Sequence, residues 1–106
     1  MNPANVGVRA LARQDIEDHY RWLSKEAGVD VADRFLTATN KAFWMLAEHP
    51  GMGPAVASAN ERIARLRKWK VDGFPNVIIF YEPRATGITI VRVIHAAQDW
   101  WRLIGA

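Results

Sequence analysis

Apolar positions in the first half of the chain recur at helical spacing. Ala12, Ile16, Tyr20, Leu23 and Ala27 fall three or four apart, with Asp15, Glu17, Asp18, Lys25 and Glu26 placed for an outer, solvated face. This predicts a helix from Ala12, preceded by a short strand over Val6 to Leu11. Acidic residues early in that helix suit its dipole, and Gly28 stands where it should stop. Asp30 is positioned to cap a second helix, whose stripe Ala32, Phe35, Thr39, Ala42 and Leu46 is broadened by Leu36 and Phe43. Two such helices with two or three residues between them form an antiparallel hairpin. The run His49-Pro50-Gly51-Met52-Gly53-Pro54 ends it.

Beyond an exposed loop over 55 to 61 the period shortens to that of strands. Three are predicted, at about Ile63–Val71, Asn76–Glu82 and Gly87–Ile94. Asp72-Gly73 gives a tight turn between the first two, and Glu82 to Gly87 a hairpin loop between the others. The inner strands are apolar at nearly every position, which calls for cover on both faces of the sheet. The helical hairpin supplies one cover, and the Trp100-Trp101-Leu103-Ile104 tail is the candidate for the other. The expected fold class is therefore α+β: an N-terminal strand and a helical hairpin on a small, mainly antiparallel sheet, with a short C-terminal tail. Residues 1–106 are read as one domain.

Charge alters this picture in one place. The net charge is only +3, but Arg62, Arg65, Arg67, Lys68 and Lys70 put five cations into nine residues with no acid among them. Residues 12–48 carry a mixed, mildly acidic set instead. A strip of this kind favours an acidic segment or a phosphate backbone, although cations on an edge strand also guard against sheet-to-sheet aggregation. No cysteine is present, so neither disulfides nor a thiol nucleophile enter the reading. No apolar run approaches the length of a membrane span, and the first residues lack the charge and apolar core of a secretory signal. A cytoplasmic protein is expected.

Candidate chemistry is sparse. His19, His49 and His95 are far apart and none stands at metal-ligand spacing, so neither metal nor cofactor is expected. A metal-free ribonuclease needs a base, an acid and cations for the phosphate. Arg65, Arg67, Lys68, Arg84 and Arg92 could serve the last role, and His95, Tyr81 and Glu82 could move protons. Tyr81 and Glu82, however, alternate across one strand, and His95 shares a face with Val91 and Val93, which suits a structural histidine. Trp69 among the cations can stack on a base or an aromatic partner, or pack against the helices. Trp100 and Trp101 are adjacent, so on a helix only one can be fully buried and the other becomes an exposed anchor.

The order of these features resembles the RelE/ParE toxin superfamily, and within it the ParE branch, over about residues 6 to 104. The likeness rests on Asp15-Ile16 near the first helix start, Ala32-Asp33-Arg34-Phe35 opening the second, and Leu46 through Gly53 at the helix end. Leu66-Arg67-Lys68-Trp69 before Ile79-Phe80-Tyr81, and Ile90 through Asp99 closing the last strand, complete it. Two positions depart from the family's pattern: Gln98 stands where a basic residue is usual, and Arg9 where Ser or Thr often caps the first helix. The resemblance implies the toxin of a type II toxin–antitoxin pair, held inactive by a cognate antitoxin. It implies DNA gyrase as the target, without hydrolysis by the toxin itself. The relatives that cut mRNA on the ribosome supply an endoribonuclease alternative, and a non-toxic antitoxin-binding module is a third. On this reading Arg65, Arg67, Lys68, Trp69, Lys70, His95, Asp99, Trp100 and Trp101 are the expected antitoxin- or target-binding residues.

Overall fold

A computed structural model of the chain describes residues 5–96. Asp99, Trp100, Trp101 and the rest of the tail proposed as a cover lie outside the described residues. The element order is β1 (Val6–Val8), α1 (Ala10–Glu26), α2 (Val29–Glu48), α3 (Glu61–Ala64), β2 (Arg67–Val71), β3 (Phe74–Arg84) and β4 (Gly87–His95). The four strands form one sheet in the order β1-β4-β3-β2, with β1 parallel to β4 and the other pairs antiparallel. This is the α+β class expected from the periodicity.

The helical hairpin forms as its apolar stripes require. Ala32, Phe35, Thr39, Ala42, Phe43, Leu46 and Ala47 of α2 are buried, as are Ala12 and Leu23 of α1. Two boundaries differ from expectation. Helix α1 begins at Ala10, so Asp15 and its neighbours fall beyond the first turn, which holds no acid. Helix α2 is capped by Gly28, whose φ of 96° ends one helix and turns the chain into the next, so Asp30 sits in the first turn without a side-chain capping bond.

The expected strand over 63–71 is shorter, and its beginning is a helical turn. Ile63 and Leu66 are both buried and stand three apart, a spacing that a single helical turn satisfies and a strand does not. Asn60 Oδ1 accepts from the Arg62 N–H at 3.0 Å and caps that turn. The β3–β4 ladder runs on past Glu82 to the pair Arg84 and Gly87, so the loop is a two-residue turn, Ala85-Thr86.

Among the described residues the sheet carries packed apolar residues on both faces. Val77, Ile79, Tyr81, Ile88, Ile90 and Val93 face the helices, while Phe80, Val91 and Ile94 pack with Val56, Ile63 and Leu66 on the reverse face. A bulge makes this division possible. Tyr81 pairs with Ile90 and Phe80 with Arg92, leaving Val91 as the extra residue. Strand alternation is thereby reset, so Val91 and Val93 lie on opposite faces. His95 shares the helix face with Val93, not with Val91.

Where β1 stops, α1 takes over the edge of β4. The Arg9 N–H donates to Ile90 O at 3.0 Å, after which the chain turns into α1. Asp15 then supplies what a longer strand would have supplied. Its Oδ2 accepts the Val93 backbone N–H at 3.0 Å and Arg92 Nε at 2.7 Å, and its Oδ1 accepts Arg92 Nη2 at 2.8 Å. Both side chains are largely buried. Asp15 is thus a joint between α1 and β4 and not part of a solvated helix face, and Arg92 is committed to it.

Candidate protein-binding surface

The basic strip is divided by the pleat of β2. Arg67 pairs with Tyr81 and Trp69 with Ile79, residues of the helix face, whereas Lys68 and Lys70 pair with Phe80 and Ile78 of the reverse face. Arg65 precedes the strand as the exposed C-cap of α3. The strip therefore presents cations on both sides of an edge strand and not as a single stripe.

Arg67 is drawn inward by the end of α2. Its Nη1 donates to Gly53 O at 2.6 Å and to Gly51 O at 3.2 Å, carbonyls of the turn that follows the helix. Tyr81, fully buried beside it, donates its hydroxyl to Pro50 O at 2.8 Å and accepts the Gly53 N–H at 2.9 Å. Burial pushes the Tyr81 phenol above its ordinary value of 10.0, with the Gly53 amide and the Arg67 charge opposing it. Gly53 is required here by close approach, because a Cβ would lie 2.5 Å from Lys68 O and 2.7 Å from the Tyr81 hydroxyl. The helix-end sequence Pro50 to Gly53 is therefore a clamp holding α2 to β2 and β3.

Beside this clamp, between α2 and β2, lies a groove of about 760 Å³. Ala38, Ala42, Met45, Trp69 and Val71 contribute apolar surface to it, and Arg34, Lys41 and Lys70 line it with one acid, Asp72. Across the same strand, on the reverse face, a slot of about 340 Å³ is lined by Pro54, Lys68, Trp69, Lys70 and Ile78 and is almost wholly apolar. Trp69 and Lys70 border both. Arg34, Lys41 and Met45 are not among the binding residues expected from the sequence. They occupy the outer side of the α2 stripe, and only packing shows which part of that side meets β2.

His95 belongs to a different place. It pairs with Val77, four residues along β3 from Tyr81, which is about 13 Å at strand spacing. Its ring lies 6.3 Å from that of His19 on α1, and His19 in turn stacks on Trp22 at 5.7 Å and tilts onto Phe35 at 4.7 Å. Burial, and then the nearby His95, lower the His19 pKa below its ordinary 6.5. Asp15, Asp18, His19, Trp22, Val93 and His95 line a pocket of about 380 Å³ there. Trp22 is about half exposed and was not anticipated as a surface aromatic, although its i, i+3 spacing from His19 is visible in the sequence. Among the described residues, no group of three or more His, Cys, Asp or Glu could hold a metal ion.

The described residues form a small α+β domain with a mainly apolar groove between α2 and β2 that three cations and one acid line. The family model for the ParE toxin of the type II toxin–antitoxin system parDE matches residues 6–100, and the chain belongs to that family. Among solved structures, one described as the chromosomal ParDE toxin–antitoxin system from P. aeruginosa superposes with a TM-score of 0.70 at 13% identity, covering 86% of this chain and 94% of that one. At that identity the likeness speaks for the fold. No curated protein sequence matches the chain. Among the described residues, no helix is long and apolar enough to cross a membrane.

Proposed function

We propose that this type II toxin, acting in the cytoplasm as a single domain, arrests growth by engaging DNA gyrase, and that a cognate antitoxin silences it by occupying the groove between α2 and β2. The observation that carries the antitoxin half is that one groove is lined by apolar Ala38, Met45 and Trp69 together with three cations, Arg34, Lys41 and Lys70, against one acid, Asp72. An amphipathic segment bearing acids matches both: its apolar side chains supply most of the affinity, and its charges speed and orient encounter. Arg65, Lys68, Lys70 and the tail residues Asp99, Trp100 and Trp101 complete the proposed antitoxin- and target-binding set.

The toxin acts by binding, without catalysis of its own. Arg67 and Tyr81 are engaged in the α2 clamp, Arg92 is engaged by Asp15, and His95 stands about 13 Å along the sheet from Tyr81. Arg67 and Tyr81 stand together but are both held by the turn after α2, and His95 lies apart from them, which supports a gyrase-directed toxin over an mRNA endoribonuclease.

Inducible expression tests the reading. Growth arrest relieved by the co-expressed antitoxin, with loss of supercoiling by gyrase in the presence of purified toxin, is expected. Codon-phased mRNA cuts by primer extension, with gyrase unaffected, would replace it with the endoribonuclease.

A further inference from the structure

The groove is not the whole of the binding relief around β2. On the other side of the strand, facing away from the helices, lies the slot of about 340 Å³ lined by Pro54, Lys68, Trp69, Lys70 and Ile78. Lys68 and Lys70 reach that side because they pair with Phe80 and Ile78, residues of the reverse-face layer. Pro54 is fixed there by its carbonyl, which accepts the Lys68 N–H at 3.1 Å, and by Val56 two residues on, which is buried in the reverse-face cluster. One wall of the slot therefore comes from the segment before α3 and another from β3.

The charge of this recess has one sign. Among the described residues two lysines line it and no acid does, whereas the groove holds Asp72 beside its cations. The excess continues along the same face. Ile63 and Leu66 of the α3 turn are buried against the sheet, and Arg62 and Arg65 between and beside them are exposed. Against these four cations stand Glu61 of α3 and Glu82, which strand alternation puts on the reverse face of β3. A ligand has to satisfy both the apolar lining and the ammonium groups. A phosphate backbone leaves the lining unfilled, and an apolar side chain alone leaves the charges unpaired. One aromatic or branched aliphatic side chain with carboxylates beside it meets both demands. Lysine suits this role, because a point charge on a flexible stem accepts a carboxylate from several directions.

We propose that the toxin holds its target protein in this slot, through one apolar side chain flanked by carboxylates, on the side of β2 opposite the antitoxin groove. This rests on the proposed reading for gyrase as the target and adds the site at which it is held. The slot supplies the anchor, and the surrounding cations speed and orient the encounter. Trp69 and Lys70 line both recesses, so target and antitoxin meet across a single strand and draw on two of the same residues.

Two charge reversals in the full chain separate the faces, since Lys68 lines the slot and not the groove, and Lys41 the groove and not the slot. Surface plasmon resonance against purified gyrase and against the cognate antitoxin reads both partners, and circular dichroism verifies that each variant is folded. Lys68→Glu should weaken gyrase binding about tenfold or more and leave the antitoxin within about twofold, and Lys41→Glu should do the converse. Lys68→Arg, which keeps the charge, should bind gyrase nearly as wild type does. Wild-type gyrase affinity in Lys68→Glu, or a loss confined to the antitoxin, would overturn the proposal. A peptide arm tests the chemistry without gyrase. Acetylated, amidated EEFEE at millimolar concentration should shift the Ile78 methyl and Lys68 amide signals in NMR spectra, KKFKK should not, and Lys68→Glu should abolish the shifts. Shifts at these groups from a single-stranded oligonucleotide and not from EEFEE would assign the face to nucleic acid and overturn the proposal as well. The functional reading fails separately: a wild-type toxin that binds no gyrase while EEFEE still enters the slot removes gyrase as the target and keeps the slot as a site for an acidic protein segment.

Discussion

Replacing Asp15 by alanine removes the joint between α1 and β4. In the native fold its carboxylate holds the Arg92 guanidinium through two bonds, at 2.7 and 2.8 Å, and takes the Val93 amide at 3.0 Å. Both side chains are about 15% exposed, so water replaces little of what is lost. The Asp15 bonds raise the Arg92 pKa further, ahead of an opposing contribution from burial, so the guanidinium keeps its charge. Removing one partner of a buried pair costs about 3–5 kcal/mol, chiefly because the other charge stays behind. Against the roughly 5–15 kcal/mol by which small domains are stable, that is a large share. At about 4–8 °C per kcal/mol, Tm should fall by more than about 10 °C. Urea unfolding followed by circular dichroism measures the loss. Asp15→Asn, which keeps an acceptor for one donor, should lie between wild type and alanine. The Arg92→Met variant and the double variant complete a cycle. The double variant should be less destabilised than the sum of the singles by more than about 1 kcal/mol, as expected of groups in contact. A loss under about 1 kcal/mol for Asp15→Ala, or strict additivity, would refute the joint.

Three further outcomes follow from the same geometry. Gly53→Ala should cost more than about 2 kcal/mol in urea unfolding, because its Cβ meets the Lys68 carbonyl and the Tyr81 hydroxyl, whereas Gly51→Ala, with open space around it, should change stability by less than about 0.5 kcal/mol. Thr39→Val should raise stability by about 1 kcal/mol in the same assay, since Thr39 is 1% exposed and its Oγ1 has no hydrogen-bond partner among the described residues. His19, whose pKa is held below 6.5 by burial and by His95, binds its proton less readily folded than unfolded. Its contribution to stability is therefore complete above about pH 6.5 and is lost as pH falls toward the lower folded value. Stability measured between pH 7 and pH 5 should decline less steeply in His19→Gln, and an unchanged slope would contradict this.

The sequence by itself determined the two long helices, the strands of the sheet and their succession along the chain, but not the helical turn α3. Periodicity carries that information: the α2 stripe from Ala32 to Leu46 is buried as read, and the apolar runs of β3 and β4 are covered on both faces. It did not determine what each charged residue does. Asp15 falls on the polar side of its helix stripe by spacing, yet it is turned inward because β1 ends at Val8 and leaves the Val93 amide of β4 to be satisfied. The five cations of the strip are equivalent in the sequence. The pleat of β2 separates Arg67 from Lys68 and Lys70, and the free carbonyls after α2 bind Arg67 alone among them. The same limit governs His95, which a one-residue bulge at Val91 moves from one face of the sheet to the other. Local pattern fixes which residues are buried, because burial repeats with the backbone's own period. Which polar group meets which depends on register, strand ends and bulges, and these are settled only when distant segments pack together.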